Sequence, residues 1–192
     1  MATAFIDESR KEFASRSVYI LGAVVFADDA TLAHGREAMR SLLLPGEPKV
    51  HWYGAVDGYR NDIMSVVTGL DAMFVTVWHE ILGGESDERS RRLALALLAY
   101  ELQQLGVVTA VLESRQPRLD QRDLDIFRSG PVSAGSTRIR ATHVRGRDEP
   151  LLWISDALCG AEGDRLVFND RTYISLLSDS HYTVSTRNVD AP

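Results

Sequence analysis

Thr3-Ala4-Phe5-Ile6-Asp7-Glu8-Ser9 is followed, after a short polar link from Arg10 to Arg16, by Val18-Tyr19-Ile20-Leu21-Gly22-Ala23-Val24-Val25-Phe26. The first run is strand-forming and ends in two adjacent carboxylates. The second reads as a strand apolar on both faces. The gap between them suits an antiparallel hairpin. Strand neighbours point to opposite faces, so Asp7 shares a face with Phe5 and Glu8 with Ile6. If the first strand is central, at least one of these acids lies where water is scarce. A buried lone carboxylate costs several kcal/mol or more, so it needs a partner, a proton or a cation. The plain alternative is a strand end carrying two solvated acids.

The remaining pattern alternates helix and strand. Asp28-Asp29 caps a helix running to about Leu44, which Pro45-Gly46-Glu47-Pro48 stops. A helix is expected from about Val56 to Leu70, then a third strand from Met73 to Ile81. Ser86-Asp87 caps a helix to Leu105, with Leu93, Leu97, Leu98, Leu102 and Leu105 on its inner side. Val107 to Glu113 reads as a fourth strand, so strand, helix and strand suggest a right-handed parallel crossover. A short helix from Leu119 to Phe127, a Gly/Pro/Ser loop from Ser129 to Ser136 and a fifth strand from Thr137 to Val144 follow. Leu151 to Ala161 is a helix apolar on nearly every face, with Pro150 near its first position. The tail holds a helix near Thr172 to Leu177 and a strand at Tyr182 to Ser185. The expected fold is α/β, with one domain over residues 1–192 and a C-terminal extension from about residue 165.

A chain of 192 residues is long enough to bury a real core. No apolar run reaches the roughly 18 residues of a membrane span, and no secretory signal is visible. One cysteine, Cys159, excludes an internal disulfide, and no Cys/His cluster suggests zinc. A soluble cytoplasmic protein with no membrane partner is expected. The net charge of -6 argues against broad nucleic-acid binding, but the segment Arg115 to Arg147 carries eight arginines against three aspartates. Such a segment can hold a phosphate backbone, or it can be a solvated arginine-rich loop.

Asp156 sits in the apolar run Leu151 to Ala161 with Ser155 as its polar neighbour, so it needs a partner: an arginine, a hydrogen bond or a metal ion. Glu113 ends the fourth strand much as Asp7 ends the first. Parallel strand C-termini line a common crevice, so Asp7, Glu113 and Asp156 can converge. Like charges a few ångströms apart raise one another's pKa, and a divalent cation resolves the conflict. All-oxygen ligands favour Mg²⁺ or Mn²⁺, which can activate water in phosphodiester cleavage. His51, in Lys49-Val50-His51-Trp52, can shuttle protons or contact a phosphate, or simply pack in its loop. His143 and the pair His79-Glu80 invite the same two readings. Trp52, Trp78 and Trp153 read as core, while Gly22 and Gly160 mark close packing.

The segments FIDES (5–9), YILGAVVF (19–26), KVHW (49–52), VLES (111–114) and LLWISDALCGA (151–161) together resemble the DUF3800 family of bacterial proteins. The resemblance spans residues 4 to 161. It implies a divergent ribonuclease H-like fold, with a mixed five-stranded sheet flanked by helices. It also implies a carboxylate cluster drawn from the first strand, the fourth strand and a late helix, which here are Asp7, Glu113 and Asp156. That superfamily commonly has Asp where this chain has Glu113, and often takes an acid from the helix after the third strand. Here that helix offers Glu88 and Glu101, with Glu8 as a substitute, and Arg10 stands where the family usually has Gly. The expectation is a metal-dependent nuclease with Asp7, Glu113 and Asp156 as metal ligands, Glu8 assisting and His51 near the scissile phosphate. The alternative is a non-catalytic nucleic-acid- or protein-binding module of a bacterial defence or mobile-element system.

Overall fold

The two opening runs pair as one long hairpin in the computed structural model, which describes residues 1–14, 16–130 and 137–186. Strand β1 spans Thr3–Phe13 and β2 spans Arg16–Phe26. Asp7 and Glu8 therefore lie in mid-strand, not at a strand end. The polar residues after Ser9 stay extended because β2 continues opposite them, from Arg10↔Tyr19 to Phe13↔Arg16. Their charges are matched off the sheet: Arg10 meets Asp87 at 3.1 Å, and Lys11 pairs with Asp164.

The order continues as α1 (Asp29–Arg40), α2 (Asp57–Thr68), β3 (Met73–Glu80), α3 (Asp87–Gln104), β4 (Thr109–Glu113), α4 (Pro117–Ser129), β5 (Arg140–Val144), α5 (Leu151–Phe168) and β6 (His181–Ser185). The strands form one mixed sheet in the order β5-β4-β1-β2-β3-β6. It has six strands where five were expected, because the tail strand β6 adds in parallel to β3 at the edge. β3 and β4 run in the same direction, but β2 and β1 lie between them, so the crossover spans the sheet centre. The tail segment near Thr172 is a 3-10 helix at Ile174–Ser180. The expected loop from Ser129 to Ser136 falls mostly outside the described residues.

Alternation along the central strands gives the sheet two apolar faces. Phe5, Val24, Phe26 and Phe74 pack with α1, α2 and α5 on one side. Ala4, Ile6, Leu21, Val75 and Val77 pack with α3 and with Phe127 of α4 on the other. α5 is buried nearly all round because the sheet covers one side and α1 and α2 the other. It runs seven residues beyond the expected Ala161, to a left-handed cap at Asn169. α5 lies close on the sheet: a Cβ at Gly22 would come within 2.8 Å of the Cys159 sulfur and 2.9 Å of the Ser155 carbonyl. Ser155 Oγ donates to the Phe5 carbonyl at 2.8 Å, which fixes the helix beside β1.

α3 is rotated from the expected leucine stripe. Ala94, Leu95, Leu98 and Leu102 face the sheet, together with Ser90 and Arg91, while Leu93 is exposed. Leucines lie on most sides of this helix, so their spacing alone does not fix its rotation. The ion pairs of Arg91 do.

Candidate functional site

β1 and β4 pair in parallel from Thr3↔Thr109 to Ile6↔Leu112. One step further, Asp7 and Glu113 stand side by side, where β4 ends and the chain turns towards α4. Both are on the face that α5 covers. Asp156 follows Ser155, the residue pinned to β1, so α5 delivers its carboxylate to the same place, beside the middle of β1 and the end of β4. The structure thus brings Asp7, Glu113 and Asp156 together from three separate elements.

Asp7 is only 9% exposed and accepts the Glu8 N–H at 2.7 Å. Burial pushes its carboxyl well above the usual range; the neighbouring Glu113 and Asp156 charges and a hydrogen bond with Glu113 push the same way. Asp156 is also raised, by burial first. The Trp52 N–H, donated at 3.0 Å, and the nearby His51 and Lys49 draw it part of the way back. His51 Nδ1 lies 3.7 Å from Asp156 Oδ2, with its ring half exposed. Lys49 Nζ donates to Glu113 Oε1 at 3.0 Å and also favours the charged forms of Asp7 and Asp156. Three carboxylates therefore share one ammonium and one imidazole. Lys49 stands two residues before His51 with nothing local to mark it as part of the site, because a four-carbon stem gives no sign of where its charge will land. Gly146 backs onto Glu113, and a Cβ there would collide with the carboxylate. A cleft of about 280 Å³ opens beside Asp7 and Glu113, walled also by Glu8, Arg91 and Arg115.

Glu8 points to the opposite face, as strand alternation requires. It accepts the Tyr19 hydroxyl at 2.6 Å and pairs with Arg91. Arg91 is 3% exposed and forks onto Asp123 at 3.0 and 2.8 Å. Arg115 reaches both Asp123 oxygens at 3.2 Å and Glu88 at 2.5 Å. His143 Nε2 lies 3.2 Å from Asp123 Oδ2. Burial alone would raise Asp123, but the bonds from His143 and Arg91 and the Arg115 charge hold it well below the usual carboxylate range. Glu8 and Glu88 are therefore tied into an arginine network on the α3 and α4 side. Glu101 is on the same side, near the Tyr182 hydroxyl at 3.5 Å.

Asp120, Asp123 and His143 each bring one ligand atom within 4.8 Å of the others and could hold a metal ion. Among the described residues they are the set that meets so tightly; Asp7, Glu113 and Asp156 are more widely spaced around Lys49. Of this set His143 alone was a candidate from the sequence; Asp120 and Asp123 join it only when α4 packs over β5. Its acids are already engaged: Asp120 accepts from Ser114 Oγ at 2.7 Å and from the Arg115 N–H at 2.9 Å. His79 of β3 belongs to neither cluster and bonds Glu85 at 2.8 Å.

The Arg115 to Arg147 segment is not a uniform basic loop. Arg115 turns inward, Arg138 caps the carbonyls of Phe127 and Gly130 at 3.2 Å, and Arg145 pairs with Asp148 at 2.6 Å. Among the described residues no helix is long and apolar enough to cross a membrane. No protein-family model matches the chain, and no curated protein matches it in sequence.

Proposed function

We propose that this chain is a divalent-metal-dependent nuclease of the ribonuclease H-like type, within the family its motifs resemble. The observation that carries the reading is the convergence of Asp7, Glu113 and Asp156 around the single ammonium of Lys49. The adjacency of the first and fourth strands and the late helix over them agree with the arrangement the resemblance implies. The donor chemistry suits Mg²⁺ or Mn²⁺, since all three side chains offer carboxylate oxygens, which would have to draw closer than they now stand to share one ion. Admitting the ion requires Lys49 to swing away from Glu113, which its flexible stem permits. When bound, such an ion supplies Lewis acidity to a phosphoryl oxygen and to a water.

The chain's own groups do the rest. The Trp52 N–H orients Asp156, and Asp156 holds the His51 ring. His51, half exposed, moves a proton between solvent and the reacting phosphate. Lys49, once freed, faces the substrate's negative charge.

The test is cleavage of labelled single- and double-stranded DNA and RNA with Mn²⁺ or Mg²⁺. Asp7→Asn and Asp156→Asn should each lower the rate by about 100-fold or more while circular dichroism stays native, since each removes an interaction needed in the transition state. Cleavage that survives both substitutions ends the proposal. One observation favours the non-catalytic alternative: the Lys49–Glu113 bond already supplies a cation to the cluster. A binding module would show no carboxylate-dependent heat on titration with Mn²⁺.

A further inference from the structure

α3 and α4 enclose a cleft of about 580 Å³ on the sheet face opposite α5. Four arginines line it: Arg89, Arg91, Arg92 and Arg122. The acids in its wall are committed elsewhere. Asp123 is held by Arg91 and Arg115, and Glu88 by Arg115 at 2.5 Å. Asp125 accepts from Gln121 at 2.9 Å and lies 3.6 Å from Arg128.

The cations at the rim are less occupied. Arg122 is 51% exposed and stands 3.6 Å from Glu88. Arg89 is anchored by one bond to Glu85 at 3.0 Å. Arg92 is exposed and makes no ion pair or hydrogen bond among the described residues. On a chain of net charge -6, this rim is a local excess of guanidinium. The cleft also adjoins the carboxylates, because Arg91 lines both it and the notch beside Asp7 and Glu113.

We propose that the α3–α4 cleft binds the sugar–phosphate backbone of a nucleic acid leading away from the Asp7–Glu113 notch, with Arg92 and Arg122 as its main phosphate contacts. Guanidinium groups suit phosphate oxygens because their donors form a planar fork. The choice of nucleic acid over another polyanion rests on the nuclease reading of the adjoining notch. Of the Arg115 to Arg147 segment only Arg122 is a main contact here; Arg92 lies outside the segment, and Arg145 is spent on Asp148.

The test is fluorescence anisotropy of a labelled single-stranded oligonucleotide with the full chain in EDTA, over a series of salt concentrations. The double variant Arg92→Gln/Arg122→Gln should bind at least ten-fold more weakly. Its salt slope should fall by about 1.4, as expected for two lost contacts to a single strand. An Arg145→Gln/Arg147→Gln control should bind like wild type. Both pairs are exposed, so the native fold should persist. Absence of wild-type binding, unchanged affinity in the cleft variant, an equal loss in the control, or equally tight binding of a polyglutamate peptide would each overturn the proposal. Because no divalent ion is present, the result is separate from cleavage. A cleft that binds in a protein that never cuts would sink the nuclease reading and leave the cleft standing.

Discussion

Replacing Gly160 by alanine tests how α5 and the Lys49–Trp52 loop are fitted together. A Cβ at Gly160 would fall inside the indole of Trp52, against Cδ1, Cγ and Nε1. Trp52 has little room to yield: it is 3% exposed, meets Tyr173 edge-on with ring centroids 4.9 Å apart, and lies 5.0 Å below the Arg60 guanidinium. α5 cannot retreat the other way, because it is in close contact with β2 at Gly22. Driving the indole from its site forfeits up to about 3–5 kcal/mol, the range for removing a large buried aromatic. Alanine returns about 1 kcal/mol of helix propensity over glycine. The net expectation is a loss of about 2–4 kcal/mol. At roughly 2–4 °C per kcal/mol for a chain of this size, Tm should drop by about 4–16 °C. Gly163→Ala on the same helix is the control. The atoms nearest its Cβ would be Lys11 Cδ at 3.2 Å, Ile20 Cδ1 at 3.3 Å and Lys11 Cβ at 3.6 Å, all side-chain atoms, so stability should change by under about 1 kcal/mol. Calorimetry and urea unfolding of both variants provide the readout. If Gly160→Ala is as stable as Gly163→Ala, the packing of Trp52 against α5 is wrong, and with it the N–H that orients Asp156.

Two further substitutions probe the charged clusters. Asp123→Ala leaves the buried Arg91 guanidinium with Glu8 as its remaining carboxylate partner, and losing the forked bonds to Asp123 should cost about 1.5–3 kcal/mol at neutral pH. Because the folded carboxyl is held below its unfolded value of about 3.9, this stability is complete above that pH and is lost as pH falls towards the folded value. The gap between wild type and variant in urea should therefore narrow below about pH 4, and parallel pH curves would refute the pairing. Asp7→Asn should act in the opposite sense. Burial and the Glu113 and Asp156 charges raise Asp7, so the native state holds a proton that the unfolded chain releases, and stability falls as pH rises through the folded value. At pH 8 without metal, Asn should stabilise by about 1–4 kcal/mol, the range seen when buried charges are replaced by neutral groups. A destabilised Asp7→Asn protein would mean that Asp7 is better compensated than its surroundings indicate.

The two apolar faces of the sheet were legible because β2 is apolar at every position from Val18 to Phe26 and α5 is apolar nearly all round. Strand alternation places Asp7 and Glu8 on opposite faces from the sequence alone. Gly22 and Gly160 were readable as sites of close packing, though not that Trp52 would lie against the second. The length of β1 was hidden because Arg10, Lys11 and Glu12 look like a link, and only β2 and the partners Asp87 and Asp164 keep them extended. The rotation of α3 was ambiguous because leucines surround it. The Arg91–Asp123–Arg115 network was invisible for a related reason: its members come from α3, α4 and the β4–α4 turn, and nothing local marks which charges will meet. β6 was read as a strand, but its place at the sheet edge depends on a parallel pairing across a hundred residues.

The central claim is that Asp7, Glu113 and Asp156 together hold one divalent ion. Calorimetric titration of the metal-free protein with Mn²⁺ addresses it most directly, with Asp156→Asn and Asp120→Asn measured alongside. A single binding event that vanishes in Asp156→Asn and persists in Asp120→Asn is the predicted result. Binding that persists in Asp156→Asn and is lost in Asp120→Asn would place the ion among Asp120, Asp123 and His143 and contradict the claim.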